Sequence, residues 1–155
     1  MDWALIESPN TFSPNKPPPR SAFTSPGQLP LQPFQYFLNA DSKVRNFAQV
    51  RAKEWVTKIG RTTNVTSAVV SKLSRSVQWV SGKITDEIEI VPEDYHFVRP
   101  GDSGSIVLNA HGELIGLLFG RECKSRAEDF GFITPIMAIQ KHVKEMTDGG
   151  FLSLD

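Results

Sequence analysis

Cysteine is nearly absent from this chain: Cys123 is the single one in 155 residues. No internal disulfide can form, so the fold has to close on a hydrophobic core alone. Charge of one sign is missing too. Lys plus Arg and Asp plus Glu number 17 each, giving a formal net charge of zero. No basic surplus points to nucleic acid, and none of either sign points to steering of charged partners. No run of 18 apolar residues occurs, which predicts no transmembrane helix and no membrane partner. No signal peptide is visible at the start of the chain, and with the single cysteine this predicts an intracellular, cytoplasmic setting. Neither a metal nor a cofactor is expected. Histidine is scarce as well, with only His96, His111 and His142.

What is present is unevenly spread. Hydrophobic residues make up 39% of the chain, enough for one domain with a modest core. Eight of the eleven prolines fall within residues 9–33, including Pro17-Pro18-Pro19. Such a stretch cannot donate ladder hydrogen bonds and favours extended, solvated backbone. It reads as a linker, or else as a proline-rich ligand for a partner domain. Before it, residues 3–7 read as a strand. After residue 54 the β pattern sharpens. Strands are predicted over Glu54–Ile59, Asn64–Leu73, Val77–Val80 and Ile84–Val91. In the last of these the Ile88 and Ile90 face is expected in the core, and Glu87 and Glu89 on a solvated face. Residues 44–50 fit a strand or a short helix. Ile136, Ile139, Val143 and Met146 recur at helical spacing, and Gly149-Gly150 ends that helix.

Chemistry concentrates in Gly101-Asp102-Ser103-Gly104-Ser105, followed by Ile106-Val107-Leu108. A Ser between glycines at the head of an apolar strand can present its hydroxyl to a carbonyl substrate. Backbone N–H groups around such a turn can form an anion pocket for a tetrahedral intermediate. A plain Gly/Asp/Ser turn is the competing reading. The surroundings argue against it. A hairpin follows with its turn at Ala110-His111-Gly112, then Glu-Leu-Ile-Gly-Leu-Leu-Phe-Gly, then Phe130-Gly131-Phe132-Ile133-Thr134-Pro135. Upstream lies Lys58-Ile59-Gly60-Arg61-Thr62-Thr63, leading into Val65–Val70.

This order resembles the C-terminal lobe of chymotrypsin/trypsin-like serine peptidases, in the disulfide-free form seen in fungi. The resemblance covers roughly Trp55 to Met146, plus Asp2-Trp3-Ala4-Leu5-Ile6 at the start. It implies an all-β fold, an antiparallel Greek-key β-barrel with a short C-terminal helix. It divides the chain into a remnant strand of the N-terminal lobe (1–8), a proline-rich linker (9–40), the barrel lobe with its helix (41–148) and a tail (149–155). It implies Ser103 as nucleophile and Asp2 as the aspartate that orients a histidine. It further implies an oxyanion hole from the N–H groups of Gly101 and Ser103, with Asp102 and Gly104 supporting the turn. Leu118, Phe119 and Gly120 would lie along the substrate backbone, Gly131 would wall the pocket, and Phe97 would sit near its floor. A Phe there gives no counter-charge for a basic side chain, so the expected pocket is apolar or shallow. The implied partners are a peptide or protein substrate and the missing N-terminal lobe.

The sequence departs from that pattern in four places. Ser105 replaces a glycine or small residue, and Asn64 and Ala68 stand where relatives often carry glycine. Most important, the histidine expected upstream of Asp2 is not in these residues. His111 belongs to a predicted turn and His142 to the C-terminal helix. His96, seven residues before Ser103, is the nearest in sequence, and it does not follow the family pattern either. Three readings stay open: a serine endopeptidase whose base lies elsewhere, a non-catalytic pseudopeptidase that binds peptides or proteins, and a structural protein using only the barrel and the proline segment.

Overall fold

The first hairpin forms where Gly60 and Asn64 close a three-residue turn. The computed structural model describes residues 44, 46–92, 97–123 and 129–154. In it β1 (Trp55–Gly60) pairs antiparallel with β2 (Asn64–Gln78), from Trp55↔Val69 to Gly60↔Asn64. Asn64 sits at φ +55°, a left-handed conformation that asparagine adopts more readily than most residues. That accounts for its standing in for glycine with the register intact. β2 returns through a turn at Trp79–Lys83 into β3 (Ile84–Pro92). β4 (Ile106–Asn109) and β5 (Leu114–Cys123) form the next hairpin, and β6 (Asp129–Pro135) runs directly into α1 (Ile136–Met146).

The six strands close in the order β1-β2-β3-β6-β5-β4, with β4 hydrogen-bonded back to β1 at Val56↔Asn109. Every pairing is antiparallel, and the β3-to-β4 connection crosses the barrel end rather than joining neighbours, the Greek-key pattern. Val56, Ala68, Val70, Ile90, Val107, Ile115, Leu118 and Ile133 fill the interior. Each valine, leucine and isoleucine among them contributes roughly 1.5–3 kcal/mol by leaving water, which is how the barrel holds without a disulfide. A second cluster sits under the helix, where Ile136, Ile139 and Val143 meet Val65, Leu108 and Leu114. The helix stops at Thr147, whose N–H and hydroxyl both donate to the Val143 carbonyl.

The expected helix and the β4–β5 hairpin stand as read. The segments expected over Asn64–Leu73 and Val77–Val80 join in one strand, β2, which carries through a register shift between Val70 and Ser74 and stops at Gln78, leaving Trp79 and Val80 in the turn. Residues 46–50 form neither helix nor strand; Phe47 makes an isolated parallel bridge to Leu114. One expectation is overturned. Glu87 and Glu89 are 1% and 5% exposed, not solvated. Arg75, across from them on β2, donates to Glu89 at 2.9 Å and also bonds Glu122. Its guanidinium lies over the rings of Phe130 and Phe132. Alternation reports which face points away from the barrel, and here that face is covered by an arginine and aromatic rings. The strand at 3–7, Asp2, residues 9–40 and His96 lie outside the described residues.

Candidate active site

Asp102 organises the site. Its carboxylate is fully buried yet accepts from donors on three segments. Thr62 N–H reaches Oδ1 at 2.8 Å and Thr63 N–H at 3.2 Å, both from the tip of the β1–β2 hairpin. Thr63 Oγ1 donates to Oδ2 at 2.8 Å, and Arg99 N–H donates to it at 3.0 Å. The Lys58 ammonium lies 3.3 Å from Oδ2, with both side chains at 0% exposure. Lys58 also donates to Thr63 Oγ1 at 2.5 Å and lies 5.4 Å from the centre of the Phe97 ring. Gly60 is needed beside this pair. A Cβ there would overlap the Asp102 carboxylate and stand 2.7 Å from Lys58 Nζ.

Burial alone would push the Asp102 carboxyl up. The hydrogen bonds from Arg99, Thr62 and Thr63, with the Lys58 charge, outweigh it and hold the carboxyl down at about 2. Burial likewise pulls the Lys58 ammonium below its usual range, against the Asp102 charge that raises it. The stability consequence has a definite sign. Asp102 binds its proton less readily folded than unfolded, so its contribution is present above pH ~4 and is lost as pH falls toward ~2. The amount is about 2 kcal/mol. Denaturant melts between pH 5 and 2 should show that slope, and Asp102→Asn should flatten it. An unchanged slope in the variant would show that the loss belongs to other carboxylates.

The cage fixes the turn that follows. Thr62 Oγ1 donates to the Pro100 carbonyl at 2.8 Å, clasping the loop to the hairpin. Ser105 N–H and Oγ both donate to the Asp102 carbonyl, at 3.1 and 2.6 Å. That gives the serine at 105 a task no glycine could perform. Gly104 N–H bonds the Leu118 carbonyl at 2.8 Å, and Leu118 N–H bonds the Ser105 carbonyl at 2.9 Å. Gly101 and Gly104 take φ +97° and +88°, conformations that favour glycine. Thus Asp102 points inward while Ser103 between them is exposed. Among the described residues, the N–H groups of Asp102, Gly104 and Ser105 have acceptors, and those of Gly101 and Ser103 do not. Ser103 Oγ donates to the Phe119 carbonyl at 3.1 Å. An exposed hydroxyl flanked by two free amide donors is suited to acyl transfer.

The other expected residues lie on β5, on β6 and in the loop before the turn. Leu118 is a buried core residue, and Phe119 and Gly120 follow it along β5 at a register shift against β6. Gly131 pairs with Ile90 and Arg121 at the back. Phe97 is buried in the barrel core, its carbonyl held by Thr66 Oγ1 at 3.0 Å. His111 occupies the β4–β5 turn, at the opposite end of β4 from Ser103, and its N–H bonds Asn109 Oδ1. His142 rides on α1. Neither the Lys58 partner nor the Thr62–Thr63 cradle was read from the sequence. The available signal was a lysine inside the otherwise uncharged run Trp55–Gly60, since a buried lysine there needs a counter-charge.

Residues 28–150 match the model of Peptidase family S64. Among curated proteins, the chain is similar to the serine protease Do-like HtrB of Bacillus subtilis, 28% identical over 117 residues, covering 70% of this chain and 25% of that protein. It is also similar to a serine protease HtrA-like protein of Staphylococcus aureus, 30% identical over 89 residues, 56% of this chain and 11% of that one. The chain thus spans a quarter or less of these relatives' lengths. Among solved structures, the chymotrypsin of Cellulomonas bogoriensis matches with a TM-score of 0.54 and 20% identity, over 76% of this chain and 59% of that one. A glutamic acid specific serine protease matches with a TM-score of 0.53 and 20% identity, over 68% and 55%. At that identity the structural likeness shows the fold, the trypsin-like barrel.

Proposed function

The chain belongs to peptidase family S64, and on that premise we propose that it is the nucleophile-bearing barrel of a serine endopeptidase. The observation that carries this is the turn at 101–104: a buried Asp102 below, an exposed Ser103 above, and two amide donors beside it with no acceptor among the described residues. Ser103 Oγ attacks the scissile carbonyl and gives its proton to a histidine. The N–H groups of Gly101 and Ser103 hold the oxyanion of the tetrahedral intermediate. Collapse of that intermediate passes the proton to the leaving amine and leaves an acyl-serine. Water then releases the acyl group by the same steps.

The histidine is assigned to chain beyond these 155 residues, on an N-terminal lobe that would also pack against the Asp2 strand. His111 lies in the β4–β5 turn and His142 on α1, and among the described residues Ser103 Oγ rests on a carbonyl instead of a base. Asp2 is the matching aspartate, and residues 9–40 the linker between the lobes. The isolated chain is then a poor peptidase, because a serine hydroxyl without a proton acceptor is a weak nucleophile. The second reading, a peptide-binding module without turnover, is favoured by that same Ser103–Phe119 bond.

The natural protein that carries this chain should react with a fluorophosphonate at Ser103. Its peptide hydrolysis should fall by on the order of 10⁶-fold in Ser103→Ala, the effect of losing the nucleophile from such a triad. Peptide binding without labelling or hydrolysis, unchanged in Ser103→Ala, would establish the binding module instead.

A further inference from the structure

A peptide whose carbonyl lies at Ser103 Oγ must place the side chain of that same residue into the space bounded by three segments. These are the loop 97–100, the β5 edge at 118–121, and Gly131 of β6. In this chain that space is already taken. Phe97 and Val98 are 2% and 3% exposed, and both belong to the barrel core. A Cβ built at Gly131 would lie 2.9 Å from Val98 Cγ2 and 3.1 Å from Phe97 Cδ1. Those contacts are shorter than van der Waals separation, so no room for a further side chain remains between Gly131 and these two residues. The glycine makes room for the protein's own valine and phenylalanine. Across the opening, Arg121 Nη1 donates to the Val98 carbonyl at 2.9 Å, tying the β5 edge to the loop. Two further bonds stop the loop from swinging aside: Thr66 Oγ1 to the Phe97 carbonyl, and Arg99 N–H to Asp102.

We propose that the primary specificity recess is plugged by Phe97 and Val98, so that the enzyme cleaves after residues with small side chains: glycine, alanine or serine. This rests on the peptidase reading above and adds the substrate class to it. Size is the discriminator, and the plug is rigid because its members are core residues. Opening the recess for a leucine or phenylalanine would require pulling Val98 out of the interior. The same close packing that stabilises the barrel therefore acts as a steric filter. Val98 is the residue that sets the limit, being the nearer of the two to Gly131.

The test uses the natural protein and a set of otherwise identical peptides differing only at the residue before the cleaved bond: Gly, Ala, Ser, Leu, Phe, Lys and Asp. The glycine, alanine and serine peptides should exceed the other four in kcat/KM by roughly 30-fold or more, since adding one methylene to a full pocket already changes the rate by about 10–200-fold. Val98→Ala should narrow the gap for leucine by about tenfold, with fluorophosphonate labelling of Ser103 retained. Equal or faster cleavage after Leu, Phe or Lys would overturn the plug. Preference for Asp would overturn it in favour of charge selection at Arg121. Absence of both cleavage and Ser103 labelling would overturn the peptidase reading itself, an outcome distinct from any change of preference. If Val98→Ala does not fold, the wild-type series alone decides.

Discussion

Replacing Lys58 by methionine should destabilise the protein by about 3 kcal/mol, because removing one partner of a buried ion pair leaves the other charge desolvated and uncompensated. The figure is at the low end of that class for a structural reason. Asp102 keeps four donors without Lys58: Thr62 N–H, Thr63 N–H, Thr63 Oγ1 and Arg99 N–H. For a chain of this size the midpoint should drop by roughly 6–12 °C. The variant should also raise the Asp102 carboxyl, since the ammonium 3.3 Å away is one of the groups holding it down. The acid loss of stability from Asp102 is then smaller and is complete at higher pH. Pairing Lys58→Met with Asp102→Asn should recover part of the lost stability, because the amide needs no counter-charge. Denaturant melts of the single and double variants at pH 7 measure this. A Lys58→Met melt within ~0.5 kcal/mol of wild type would show that the neutral donors alone hold Asp102.

That pair also shows where reading residues succeeds and where it stops. The Gly-Asp-Ser-Gly-Ser turn, the hairpin after it and the C-terminal helix are local features. Each is written in a few consecutive residues, and the barrel places them where their pattern suggests. Gly101 and Gly104 at positive φ are the kind of position glycine is chosen for. The Asp102 cage is different, since Lys58, Thr62 and Thr63 lie some 40 residues away in sequence. Only closure of β1 on β4 brings them to the turn. Glu87 and Glu89 failed for a related reason. Their alternation places them outside the barrel, but what covers an outer face is decided by other strands, here by Arg75 and Phe132. Phe97 was read as lying near a pocket floor from its place before the turn. The structure adds that Phe97 is buried in the core beside Gly131, which depends on rotamers and packing that no spacing encodes.

Beyond the nucleophile itself, a large effect on chemistry is expected at Gly101, a residue with no side chain to lose. Gly101→Ala adds a Cβ at φ +97°, where L-residues are strained, and sets it 2.7 Å from Thr62 Oγ1 and 2.8 Å from Arg61 Nη2. Arg61 is exposed and can move, whereas Thr62 is held by its bonds to Pro100 and Asp102. The backbone must therefore shift, and the Gly101 N–H shifts with it. Misplacing one oxyanion donor removes about 2.7–4 kcal/mol of transition-state stabilisation, a 10²–10³-fold loss in kcat. Gly104→Ala supplies the comparison. It has nearly the same strain, at φ +88°, but a Cβ there meets nothing within 4 Å. Its rate loss should be at least tenfold smaller, since backbone strain alone is on the order of 1–2 kcal/mol and leaves the oxyanion donors in place. Single-turnover acylation of Ser103 by an activated ester, measured in the natural protein with each variant, separates the two. Equal losses would mean that strain in the turn, and not the position of the Gly101 amide, limits the reaction. A Gly101→Ala enzyme acylating at the wild-type rate would remove the Gly101 amide from the oxyanion hole.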